Sequence, residues 1–340
     1  MSPADGTSNA SGSGSAMRSV VQRRYGDDPE AVLRVAEIAR PVVGDQEVLV
    51  RVAAAGIDMG TWHCMTGMPY AMRLAGFGLR SPKAPNPGRA LAGTVEAVGR
   101  GVTGFAPGDE VYGSCGGSFA EYAAVPVDQL APKPWNLTFV QAAAVPISGP
   151  TALQALRKAR VQPGHRVAVL GASGGVGSFA VQIAKAMGAD VTGVCRTAKV
   201  GFVRGLGADR VVDHQTEDVV DGAPAYDAII DTGGNRRVAD LRRALAERGS
   251  LVIVGGDTGG RWLGGIDRPL RAVLRSAFTS QRLGMLTSTE DAGDLVVLGR
   301  MIEAGQLRPA VERTFPMVEV GSALRHLRAG QVRGKVVLTI

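Results

Sequence analysis

The chain has 340 residues, about twice the roughly 150-residue domain prior, so two separate cores are expected and a single small module is excluded. Its 45% hydrophobic and 20% charged residues are of ordinary globular proportion, and 47 glycines with 18 prolines imply many tight turns. The net charge of +7 is scattered and carried almost wholly by arginine, with only six lysines and no block of like charge, so no nucleic-acid partner is expected.

Residues 1–16 are nearly all Ser, Gly, Ala, Asn, Thr, Asp and Pro, too polar to offset chain entropy by burial, and read as a disordered leader. From Met17 strand-like runs appear at 48–53, 92–98 and 119–126, separated by turn signals such as Pro107-Gly108-Asp109. A β-rich first domain over 17–144 follows. Within it, residues 66–87 form a long Gly- and Pro-rich connection. Its apolar content, Met68, Tyr70, Met72, Leu74, Phe77 and Leu79, exceeds that of a solvated linker and suits a lid over a hydrophobic pocket. Arg73, Arg80 and Lys83 in the same stretch suit either solvent or an acidic substrate.

After Pro150 short apolar strands alternate with amphipathic helices, the pattern of stacked βαβ units and a parallel sheet. Strands are expected at 166–170, 190–195, 210–212, 228–230 and 250–254. Helices are expected at 176–187, 199–206, 236–246, 291–304 and 318–327, before a last strand at 335–340. Cys64, Cys115 and Cys195 are odd in number, far apart and without a CxxC pair, which argues against disulfides and a cysteine zinc site and for a reducing cytoplasm. The charge-free stretch 167–184 is broken by glycines and serines, unlike a membrane span, and no basic-then-apolar secretion signal opens the chain.

The segment from Val167 runs as an apolar strand into Gly171-Ala172-Ser173-Gly174-Gly175-Val176-Gly177 and then a helix, the context that a dinucleotide-binding turn needs. Gly174 permits a pyrophosphate to approach the backbone, Gly177 lets the helix pack on the strand, and the helix N-terminus supplies free N–H groups. The first glycine of the usual pattern is Ala172 here. About twenty residues on, where an acid would meet the ribose hydroxyls of NAD, the chain reads Cys195-Arg196-Thr197-Ala198-Lys199. Arg196 offers a planar fork for a 2′-phosphate and Lys199 a second cation, so NADPH is the expected cofactor. The bland alternative for Arg196 is a solvated loop arginine.

Together with that turn, Gly88-Arg89-Ala90-Leu91-Ala92-Gly93-Thr94-Val95-Glu96-Ala97-Val98-Gly99, Phe105-Ala106-Pro107-Gly108-Asp109-Glu110-Val111 and the terminal Arg333-Gly334-Lys335-Val336-Val337 resemble the medium-chain dehydrogenase/reductase superfamily. Within it the chain resembles the zinc-independent quinone oxidoreductase-like branch over residues 17–340. The resemblance implies an α/β protein with a GroES-like β-barrel catalytic domain at 17–144. A Rossmann doubly wound parallel-sheet domain for NADPH would follow at 145–285, then a C-terminal return to the catalytic domain at 286–340. By position it places Thr151, Ala172, Ser173, Gly174, Gly175, Val176, Gly177, Arg196, Thr197, Lys199, His214, Gly255, Gly334 and Lys335 along the cofactor. Relatives carry Ser and Arg where this chain has Arg196 and Ala198, an aromatic at His214, and Asn at Asp58.

The resemblance also lays the run from Gly56 to Tyr70 over the nicotinamide. There Asp58, Thr61, His63 and Tyr70 are the candidate catalytic groups, as oxyanion donors or proton sources, and Trp62, Met65 and Phe77 the candidate pocket walls. For Trp62 and Met65 the alternative is barrel core, and for His63 a hydrogen-bonded structural residue. Zinc is not expected, since the zinc branch has its cysteine ligand at Asp58 and its histidine within Gly88-Arg89-Ala90. Asp257 and Arg237 resemble in placement a proposed proton-donor pair of polyketide enoyl reductases, although arginine is a poor proton donor.

These readings converge on an NADPH-dependent reductase that passes hydride, without metal, to a quinone or to a C=C bond conjugated to a carbonyl in a small hydrophobic molecule. Alcohol or ketone oxidoreduction, and a non-catalytic NADPH-binding protein, are the alternatives. A homodimer is expected, pairing across an edge near 276–286.

Overall fold

In the computed structural model, residues 15–221, 225–234, 236–255, 262, 272 and 279–340 are described. The chain begins with an antiparallel ribbon of β1 (Ala16–Gln22) and β2 (Leu33–Ala39), joined through the short helix α1 (Pro29–Val32). The leader expected through residue 16 therefore overlaps the first strand. Next come β3 (Glu47–Ile57), α2 (Met59–Thr66), α3 (Tyr70–Met72), β4 (Ala90–Val98), β5 (Glu110–Ser114), β6 (Tyr122–Pro126) and β7 (Leu130–Pro132). Residues 66–87 are not plain loop: α3 continues into a π-helical turn at Arg73–Phe77.

The first sheet has seven strands. It is completed by the chain's last two, β14 (Val311–Pro316) and β15 (Lys335–Thr339), introduced below, in the order β14-β15-β3-β4-β5-β7 with β6 also on β3. Val48, Val50 and Val52 of β3, at alternate positions on one face, share one core with Leu91, Val95, Phe119 and Leu338. β15 runs antiparallel to β3 with Val336 opposite Ile57, so the end of the chain is built into the first sheet.

Between these two contributions lie α4 (Phe139–Ala143), α5 (Ser148–Ala159), β8 (Arg166–Leu170), α6 (Gly175–Ala186), β9 (Asp190–Cys195), α7 (Val200–Gly205), β10 (Arg210–Asp213), β11 (Tyr226–Asp231), α8 (Val238–Ala244), β12 (Leu245–Ile253) and β13 (Arg282–Met285). The six strands β8 to β13 form a wholly parallel sheet in the order β10-β9-β8-β11-β12-β13. Numbered by appearance this is 3-2-1-4-5-6, the doubly wound order, and its direction reverses between β8 and β11, the place where sheets of this order form a ligand crevice at the strands' carboxyl ends.

Both faces of this sheet are covered. Val167 and Val169 lie in one core with Phe179, Ala180 and Ile183 of α6, whereas Ala168 and Leu170 lie in another with Leu241 of α8. The continuous apolar run of β8 follows from that double burial. Fitting β12 into the sheet ends α8 at Ala244, two residues short of the expected helix.

After β13 the chain crosses back through α9 (Ala292–Glu303), β14, α10 (Val320–Arg328) and β15. The Tyr112 hydroxyl donates to the Leu295 carbonyl at 2.6 Å, fixing α9 against the first sheet. Among the described residues no helix is long and apolar enough to cross a membrane.

Candidate active site at the crevice between the two sheets

β8 ends at Leu170, and Gly171 turns the chain at φ +75°, a conformation that favours glycine. The Gly171 and Ala172 amides both donate to the Val194 carbonyl, at 3.1 and 3.0 Å, pinning the turn to β9. Gly174 is the N-cap of α6 and no side chain caps the helix, so its first amides are open to a ligand. A Cβ on Gly177 would lie 2.1 Å from the Gly171 carbonyl oxygen, whereas one on Gly174 would meet only that oxygen, at 3.4 Å. Gly177 is thus required by packing, and Gly174 leaves a cradle that a side chain would fill. Open helix amides above a glycine cradle fit the pyrophosphate of a dinucleotide.

Ala172 is fully buried, its methyl facing Gly193 of β9, so the methyl that replaces the usual glycine points away from the cradle. The buried Ser173 contributes its carbonyl, which accepts from the Gly334 amide at 2.9 Å. Val176 packs on the core beneath α6. The opposite lip is held by Asp231, fully buried at the end of β11, whose carboxylate accepts from the Gly233 and Gly234 amides at 3.2 and 2.9 Å. Asp231 was not singled out from sequence, though an acid ending an apolar strand at the reversal point was a signal available there.

At the far end of the turn, Arg196 and Thr197 are exposed just beyond β9. The Thr197 hydroxyl donates to Asp213 at 2.5 Å, and that bond, with the Gln215 amide, holds the Asp213 carboxyl below the usual range. The His214 amide donates to the Cys195 carbonyl at 3.0 Å, which sets His214 beside the same rim. Lys199, expected as a second phosphate cation, instead donates to the Gly330 and Val332 carbonyls at 2.9 and 2.8 Å and braces the return loop. Burial, then the neighbouring Arg196, holds its ammonium below the usual lysine range. Arg333, whose side chain the sequence left without a role, donates to the Ala198 carbonyl at 3.3 Å, on the same loop as Arg196.

Thr151 on α5 donates to the Ile147 carbonyl at 2.7 Å and meets the Ser288 hydroxyl at 3.1 Å. Gly255, after β12, would meet nothing within 4 Å if it bore a Cβ. Lys335 is 2% exposed, with its Cδ against Gly175.

Asp58 is the N-cap of α2, its Oδ1 accepting from the Thr61 amide at 3.1 Å. Its Oδ2 and the Thr61 hydroxyl are buried without a hydrogen-bond partner. Cys64, one turn on, is half-buried; burial raises its thiol pKa, opposed by Arg89 and reinforced by Asp58. His63 Nδ1 lies 3.1 Å from the Met68 carbonyl, the structural alternative considered for it. Met65 is fully buried in the first sheet's core and is no pocket wall. Trp62 packs against that core with the Arg328 guanidinium 5.5 Å from its ring.

The segment expected as a lid is held by a stack. The Arg73 guanidinium lies 4.2 Å from the Tyr25 ring and 4.8 Å from the Tyr70 ring while donating to the Gly67 and Thr66 carbonyls, so it is not available to an acidic substrate. Tyr70 meets Trp262, which comes from beyond β12, edge to face at 5.3 Å. Phe77 is 43% exposed, with Leu74 and Leu79 also outward, and its carbonyl accepts from the Tyr25 hydroxyl. Asp257 lies outside the described residues, and Arg237 is an exposed N-cap of α8 close to Asp240.

Among the described residues no three His, Cys, Asp or Glu side chains gather to hold a metal. Arg89, which the family resemblance sets where zinc dehydrogenases carry a histidine, is paired with Glu290. A guanidinium is always charged and has no lone pair to give a metal, so this donor set does not fit zinc.

Residues 44–135 match the alcohol dehydrogenase GroES-like domain, and residues 206–338 the zinc-binding dehydrogenase domain. The chain is 31% identical to 2-methylene-furan-3-one reductase of Solanum lycopersicum, over 88% of this chain and 74% of that protein. It is 31% identical to the chloroplastic NADPH-dependent alkenal/one oxidoreductase of Arabidopsis thaliana, with the same 88% and 74% covered. Among solved structures, the quinone oxidoreductase from Coxiella burnetii superposes with a TM-score of 0.84 at 26% identity, over 96% of this chain and 100% of that one. An NAD-dependent alcohol dehydrogenase does so at 0.79 and 32%, over 95% and 100%.

Proposed function

The chain belongs to the medium-chain dehydrogenase/reductase superfamily, in its quinone oxidoreductase-like branch, and is an oxidoreductase using NAD(P)H; from this premise we propose that it is a metal-free, NADPH-preferring reductase of quinones or conjugated C=C bonds. Bound in the crevice, the cofactor would supply hydride. The chain's own residues would bind, orient and exclude water. The open amides of α6 and the cradle at Gly174 would hold the pyrophosphate, and Arg196 with Arg333 the 2′-phosphate. The lid stack of Tyr25, Arg73, Tyr70 and Trp262 would shut the mouth.

One observation carries the substrate class: Arg89, which with Asp58 occupies positions where the family resemblance sets zinc ligands, is paired with Glu290. Negative charge that develops on the substrate oxygen must then be met by hydrogen bonds alone, such as those of an ordered water. Acceptors that spread the charge over an enolate or hydroquinone anion suit such a site better than simple ketones. Ketone or alcohol oxidoreduction is the second reading, favoured by the 30% identity to an NAD-dependent alcohol dehydrogenase of Saccharolobus solfataricus.

We also infer a cytoplasmic homodimer, because β13 is paired on one side only among the described residues and the three cysteines are free thiols. Residues 276–278 of the expected edge lie outside the described residues. Light scattering near twice 35.2 kDa supports the dimer, and a monomer mass at micromolar concentration rejects it.

Steady-state oxidation of NADPH by a small quinone and by an enone tests the activity. Turnover with either, and a lower kcat/KM with NADH, is expected. No turnover with both, alongside turnover of an alcohol with NAD, would replace this reading by the second.

A further inference from the structure

The register of β15 on β3, with Val336 opposite Ile57, brings Lys335 and Asp58 together at the point where both strands leave the first sheet. Lys335 is 2% exposed, and among the described residues its ammonium has neither a hydrogen bond nor an ion pair. Asp58 has one carboxylate oxygen on the Thr61 amide and the other buried without a partner. A nearly buried lysine and a part-buried carboxylate with one buried, unpartnered oxygen, neither closed onto the other, are costly to keep unless a third group completes them. The Lys335 methylenes lie against Gly175, in the first turn of α6, so an anion on the open helix amides is within this lysine's reach.

We propose that Lys335 is shared between Asp58 and the anionic part of the cofactor, and that the Asp58 carboxylate thereby sets how tightly the cofactor is held. This rests on the reading that NADPH occupies the turn at residues 171–177. Lys335 contributes attraction for the anion and Asp58 offsets part of it, so a carboxylate at the substrate turn lowers affinity and speeds release of the spent cofactor. Asp58 is a positioning residue in this scheme, acting on the cofactor through Lys335. Its other task, capping α2, is one that asparagine performs equally well, so the charge can be removed without losing the cap.

The test is a double-mutant cycle on the NADPH dissociation constant, read by fluorescence titration without any substrate. Asp58→Asn should tighten NADPH at least about threefold in the wild-type background. In a Lys335→Met background the same substitution should change the constant by less than about 1.5-fold, while Lys335→Met alone weakens binding. Lys335→Gln serves as a second background, and thermal melts identify the one that folds. An unchanged constant in Asp58→Asn, or an equal change in both backgrounds, overturns the sharing of Lys335 while leaving the cofactor reading intact. Absence of saturable NADPH binding in the wild type overturns both.

Discussion

The Gly334 amide donates to the Ser173 carbonyl at 2.9 Å, so the strand that closes the first sheet is fastened to the turn that opens α6. Gly334 sits at φ +79°, and a Cβ there would lie 2.2 Å from the Ala310 carbonyl oxygen. The contact thus depends on glycine for both conformation and space. It makes the return segment part of the proposed phosphate site, although that segment lies more than 150 residues from the turn.

Gly334→Ala should destabilise the protein by about 2–4 kcal/mol and weaken NADPH by roughly tenfold or more. Gly330→Ala is the control: its φ of +70° is equally unfavourable for alanine, but nothing lies within 4 Å of the added carbon, so about 1–2 kcal/mol is expected. Chemical denaturation of the two variants measures the difference. Equal losses would show that the close approach to Ala310 contributes nothing.

Arg196 and Arg333 reach one loop from two parts of the chain, and their substitution should separate the two dinucleotides. Arg196→Ala should weaken NADPH about ten- to a hundredfold, Arg333→Ala about three- to tenfold, and each should shift NADH less than about twofold. Titration of each variant with both cofactors decides it; equal losses for both cofactors would remove these arginines from the 2′-phosphate.

Asp209 accepts from the Lys185 ammonium at 2.7 Å and from the Val191 amide at 2.8 Å. Burial pushes its carboxyl pKa up, but these bonds outweigh it and hold it below the ordinary aspartate range. A depressed folded-state pKa means stability that is fully present above the unfolded-state value and lost as pH falls through the folded one. Asp209→Asn should therefore lower Tm by a constant amount between about pH 5 and 8, equivalent to roughly 0.5–1.5 kcal/mol, and the gap to wild type should narrow below about pH 4. Melts across pH check this; a gap that widens in acid would contradict the assignment.

What was legible in the sequence is what short-range pattern controls. β8 and β9 have the expected bounds and α6 is displaced by one residue, because an apolar strand, a glycine turn and an amphipathic helix specify themselves within a few residues. The packing role of Gly177 follows from the same local geometry. Long-range pairing was not legible. Lys199 looks like a phosphate ligand until the return loop supplies two carbonyls for it, and Arg73 looks free until Tyr25 and Tyr70 stack on it. Met65 lies on the same short helix as Trp62, and only the packed sheet shows that it turns fully inward. Arg333 and Glu290 gain their partners, Ala198 and Arg89, only when the C-terminal return folds back.

Acceptor preference in the absence of metal tests the central claim most directly. Protein dialysed against a chelator is given NADPH with a quinone, an enone and a saturated ketone of matched size, and cofactor oxidation is followed. Without a Lewis acid the saturated ketone must place full alkoxide charge on one oxygen, so about tenfold or more slower turnover is expected for it than for the better conjugated acceptor, with no loss on chelation. Activity that disappears on chelation and returns with zinc, or faster turnover of the saturated ketone, would contradict the account.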